Sequence, residues 1–159
     1  IDTVGRVTQR EAAAAALTQQ LQQQWQQVQG LVAQAERKPR ALFILSHSGS
    51  PMVAGRGTAA HALLELAGAV NAVTQFQGYR PLTAEAMAAV APEVVVNSTQ
   101  GIEALGGVAA FWRRPELALT PAFARKALVG MEASHLLGFG PRLPSAVQEL
   151  HAQMLQVTA

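Results

Sequence analysis

Few residues in this chain combine a reactive type with a position that could use it. His47 lies in Leu45-Ser46-His47-Ser48-Gly49-Ser50, directly after an apolar run. A neutral imidazole there can serve as a base, as a metal ligand or as a hydrogen-bonded polar group. Ser48 and Ser50 flank it, but sequence neighbours rarely form a nucleophile–base pair, and no G-x-S-x-G elbow occurs. Arg56 sits in Gly55-Arg56-Gly57-Thr58 at an expected helix start. Backbone N–H groups there attract anions, and a guanidinium pairs with carboxylates in fork geometry. The turn lacks both the Lys-Ser/Thr ending of a phosphate loop and the dinucleotide fingerprint. Tyr79, the only tyrosine, and Arg80 precede Pro81 in what reads as a loop. Glu85 follows the expected helix cap Thr83 by two residues, where a carboxylate complements the helix dipole. His61, His135 and His151 are scattered and match no H-x-x-x-H or H-E-x-x-H spacing.

These residues need elements to position them. Residues 8–37 carry Leu17, Leu21, Trp25, Val28 and Val32 at helical spacing in Ala- and Gln-rich filler, which predicts one long helix ending before Pro39. Short apolar runs then alternate with helical patterns. Strands are expected at 41–46, 93–97 and 126–131, and helices at 57–68, 82–92 and 143–157. The alternation predicts an α/β fold with a mostly parallel sheet and helices on both faces. Ligand sites of such sheets lie at the carboxyl ends of the strands. His47, the 98–101 loop and the residues after Met131 should therefore share one edge.

Composition narrows the function. The 159 residues are 50% apolar and 14% charged, with a net charge of +2, no cysteine and no block of like charges. One packed domain is affordable, thiolate chemistry is absent, and a nucleic-acid footprint is not present. No apolar run approaches the length of a membrane span. Paired carboxylates, an activated nucleophile and a phosphate loop are all missing. A small hydrolase or phosphate-binding enzyme on a doubly wound sheet is thus the weaker alternative.

The order of LFILSHSG, GRGTAAHALLELAGAVNAV, GYRPLTAEAMAAVAPEVVV, LALTPAFARKALVGM and LLGFGPRLPSAVQEL resembles the second lobe of the binding proteins that serve ABC importers of haem, cobalamin and iron–siderophore chelates. LSHSG and LLGFGPRLP point to the haem branch. The resemblance implies an interlobe helix over 1–39 and a ligand-binding lobe over 40–159, with the first lobe lacking from this chain. It implies a periplasmic, non-enzymatic protein whose transported ligand is haem, with cobalamin or an iron–siderophore as alternatives. His47 would contact haem iron, Arg56 and Arg80 would pair propionates, and Tyr79 would line the cleft. Glu85 would meet arginines of the membrane permease. A long helix without the first lobe leaves apolar residues uncovered, so a dimer or a helix swap is also expected.

Overall fold

The computed structural model describes residues 1–46 and 50–159. His47, on which much of the sequence reading turns, lies outside the described residues, as do Ser48 and Gly49. A short helix α1 (Asp2–Val7) leads into the long α2 (Glu11–Gln34). Between them Gln9 takes φ +55°, and the pair folds back so that Arg10 N donates to Gly5 O. The helix is therefore shorter than the expected 8–37. It begins after the left-handed Gln9 and ends at Ala35, whose extended backbone starts the run to Pro39.

Among the described residues the sheet has six strands: β1 (Arg40–Leu45), β2 (Met52–Ala54), β3 (Val70–Asn71), β4 (Tyr79–Pro81), β5 (Val94–Ser98) and β6 (Leu128–Met131). The order is β4-β2-β1-β5-β6, with β3 beside the first half of β1. β1 pairs in parallel with β3 and β5, and β5 pairs in parallel with β6. The sequence patterns anticipate these three main strands. They do not anticipate the antiparallel arm in which β2 returns along β1 and pairs with β4. Tyr79-Arg80-Pro81, expected as a loop, is thus a strand. Three-residue strands are too short to show an alternation, so their pairing is a tertiary effect.

Two cores lie on the two sheet faces, because successive strand residues point to opposite sides. Phe43, Val94, Val96, Val129 and Met131 face one core, closed by α3 (Ala59–Leu66), α9 (Leu143–Thr158) and the second half of α2 through Trp25, Val28 and Val32. Leu42, Ile44 and Val95 face the other, covered by Met87 and Val90 of α4 (Ala84–Val90) and by Phe111, Trp112 and Leu117. Side-chain oxygens cap the helix starts: Thr58 Oγ1 accepts from His61 N at 3.0 Å, and Thr83 Oγ1 accepts from Ala86 N at 3.3 Å. The remaining short helices are α5 (Thr99–Ala104), α6 (Gly107–Phe111), α7 (Pro121–Arg125) and α8 (Ala133–Leu137). Among the described residues no helix is long and apolar enough to cross a membrane.

Candidate functional site

Parallel pairing brings the carboxyl ends of β1, β5 and β6 to one edge, and polar residues collect there. Asn97 is buried near the end of β5. Its Nδ2 donates to the hydroxyl of buried Ser46 at 2.9 Å, and its Oδ1 accepts from Ser98 N at 2.8 Å. Ser98 then caps α5, its Oγ accepting from Gly101 N at 2.9 Å. Ser46 is the last described residue before His47, so the exit of β1 is tied to β5 through one amide side chain.

At the end of β6, Glu132 caps α8. Its carboxylate accepts from Ser134 Oγ at 2.6 Å, Ser134 N at 3.0 Å and His135 N at 2.9 Å, and from Gln100 Nε2 at 3.3 Å. These donors hold its pKa down at about 2, the Ser134 hydroxyl contributing most. Gln100 Oε1 accepts in turn from Ala133 N at 3.1 Å, which links α5 to α8. Arg142 Nη2 donates to Ser134 Oγ at 3.3 Å. The edge is thus a fixed polar rim with one carboxylate kept ionised. Sequence reasoning missed Asn97 and Glu132. The signal was available: each is a polar residue that directly follows or ends an apolar strand run, in VVVNS and LVGME.

The antiparallel arm sets the places of the other expected site residues. Leu45 pairs with Met52, and Met52 with Pro81, so Pro81 is level with the strand exit at Leu45. Arg80 lies one residue behind it, opposite Val53, and Tyr79 two behind, opposite Ala54. The pleat sends Tyr79 and Arg80 to opposite faces. Tyr79 is half-buried against the core that holds Phe43 and Leu63. Its hydroxyl has no hydrogen-bond partner among the described residues. Arg80 lies on the other face, its guanidinium carbon 4.6 Å from the centre of the Phe76 ring. Tyr79 and Arg80 therefore do not line a common wall, contrary to the expectation.

Arg56 lies beyond the end of the β2–β4 ladder, in an isolated bridge with Gln77. Its N donates to Phe76 O, and its O accepts from Gly78 N, each at 2.9 Å. It lies four positions on from Met52, about 13 Å along a strand at 3.3 Å per residue. It is exposed at the end of the arm opposite the strand exit. The Gly-Arg-Gly-Thr turn precedes α3 as expected, but the arm carries its arginine away from the edge.

Glu85 is exposed in the first turn of α4, just past Thr83. The other histidines have structural partners. His61 Nδ1 meets Asn71 Nδ2 at 3.2 Å and its Nε2 is 3.5 Å from Glu65. His135 Nε2 is 3.2 Å from Glu149. Buried His151 places Nδ1 2.9 Å from Ala67 O, joining α9 to the end of α3. Among the described residues no group of three or more His, Asp or Glu side chains could hold a metal ion.

Comparison with known proteins places this edge in a family. A search of curated proteins found no match. Solved structures do match. The periplasmic haem-binding protein BhuT, solved with two haems, is 42% identical with a TM-score of 0.93, over 99% of this chain and 60% of its own. The periplasmic haem-binding protein RhuT from Roseiflexus sp. RS-1 is 27% identical at TM-score 0.90, over 98% of this chain and 60% of its own. The periplasmic haem-binding protein HutB of Vibrio cholerae is 31% identical at TM-score 0.80, with the same two coverages. The chain thus spans about 60% of the length of these relatives. The family model described as periplasmic binding protein matches residues 1–134, and the chain belongs to the periplasmic binding protein family.

Proposed function

We propose that this chain forms the long helix and one ligand-contacting lobe of a periplasmic protein that captures haem and delivers it to the permease of an ABC importer. The observation that carries the reading is the 42% identity to a haem-binding relative over nearly the whole chain. The protein is a binding component and not an enzyme, and haem is its cargo.

The chemistry of haem fits what the edge offers. A haem is a large apolar disc with one Lewis-acidic iron and two carboxylates. His47, directly beyond the Asn97-anchored Ser46, is the proposed iron contact through a neutral ring nitrogen. Tyr79 supplies a phenol with no competing hydrogen bond among the described residues, either against the disc or towards the iron. Arg56 and Arg80, first expected to pair the propionates, hold weaker positions for that role. One lies far down the arm and the other on the far face of β4. Exposed Glu85 is the proposed contact for permease arginines. In the complete two-lobe protein, Glu85→Ala is expected to lower uptake while leaving haem affinity nearly unchanged.

Titration with haem, followed at the Soret band, tests the cargo. Cobalamin and a ferric siderophore serve as competitors. Haem should bind and neither competitor should displace it at equal concentration. Displacement by either one reassigns the cargo.

A further inference from the structure

We propose that the lobe holds a second ligand site, for a small amphipathic monocarboxylate, in a cavity between β4, the 73–76 segment and α4. The cavity is about 450 Å3, within the range of small-molecule sites. Val53, Val73, Met87 and Val90 form its buried apolar floor, and Phe76 closes one side. Arg80 stands at its exposed mouth.

The cavity is preformed. Gly55 lacks the Cβ that would meet the Phe76 ring at 2.6 Å, so the ring packs closely against the backbone of the arm. The Arg80 guanidinium rests over that ring, and no carboxylate among the described residues pairs with it. A stacked guanidinium keeps its edge N–H donors free. An apolar pocket with one cation at the rim selects an apolar body ending in an anion. The occupant is therefore a fatty or aryl monocarboxylate. Haem is proposed above to bind at the carboxyl edge, apart from this cavity.

The site adjoins α4, which carries Glu85 in its first turn, and Ala86 lines the cavity on the next position. Occupancy therefore touches the helix proposed to face the permease.

Decanoate, decan-1-ol and decylamine, all below their micelle concentrations, test the proposal by calorimetry and by methyl NMR of Val53, Val73 and Met87. Decanoate should bind about tenfold more tightly than decan-1-ol, the scale of one charge-assisted hydrogen bond, and decylamine least. Arg80→Gln should bring decanoate down to the level of decan-1-ol. Ala86→Trp, an exposed helix position, should abolish binding of all three while circular dichroism stays native. Ala89→Trp serves if that variant misfolds. Decylamine binding as well as decanoate, no shift at the three methyls, or decanoate binding that survives a folded Ala86→Trp or Ala89→Trp protein overturns the proposal. The haem titration is separate, so failure of one site does not imply failure of the other.

Discussion

At the scale of single residues, the edge depends on groups whose hydrogen bonds can be broken one at a time. Asn97 is the most exposed to test. It is buried, it satisfies Ser46 and Ser98 together, and truncation strands both partners. Asn97→Ala should cost about 1–3 kcal/mol in urea unfolding, the range for a buried polar group left unpaired. It should also perturb the haem spectrum, since Ser46 leads directly into the residue proposed to touch iron. Glu132 gives a titration test. Its folded pKa is depressed to about 2 from the ordinary glutamate value of 4.5. The carboxylate therefore lends stability that is fully present above pH 4.5 and is lost as pH falls towards 2. Carbon-detected NMR should find Glu132 still ionised at pH 3, and Ser134→Ala should raise its midpoint. A normal midpoint in the native protein would contradict the hydrogen-bonded cap. Sequence alone marked Glu85 and its cap Thr83, because capping chemistry is local. The place of Asn97 at the end of a strand run is visible in the sequence, but its partner Ser46, 51 positions away, is not.

At the scale of elements, apolar runs and cap residues were enough to place β1, β5, β6, α3, α4 and α9, since each is long or capped enough to show its own period. The arm of β2 and β4 was not legible for the opposite reason. Its strands hold three residues each, and only pairing with β1 makes them strands. That arm decides which face Tyr79 and Arg80 take, so the arginine roles expected from the resemblance alone were the least secure. The long helix is similarly divided. Val28 is buried in the core with α9, while Leu17 and Leu31 are exposed. Val28→Ala should destabilise by about 1–2.5 kcal/mol from two lost methyl-sized groups and the void they leave. Leu17→Ala should stay within about 0.5 kcal/mol. Chemical denaturation of the two variants checks this contrast, and equal losses would mean that the first half of α2 is also covered.

At the scale of the whole molecule, one group of exposed apolar residues lies on the first two helices. Ile1, Val4 and Val7 of the α1 region and Leu17 of α2 are all exposed, and Ile1, Val4 and Leu17 line an apolar groove with Pro141. Contiguous apolar surface of this kind favours association. The 159-residue chain alone is expected to dimerise or exchange helices at high concentration. Sedimentation should show a concentration-dependent shift that Val4→Glu with Leu17→Glu removes. A monomer at every concentration would show the groove to be stable in water.

The central claim is that the carboxyl edge of the parallel sheet contacts haem through His47 and Tyr79. The most direct measurement is a Soret titration of the protein, run in parallel on the native form, His47→Ala and Tyr79→Phe. The account predicts a shifted band or weakened binding for His47→Ala, a smaller change for Tyr79→Phe, and native unfolding midpoints for both. Spectra and affinities unchanged in both variants would contradict it.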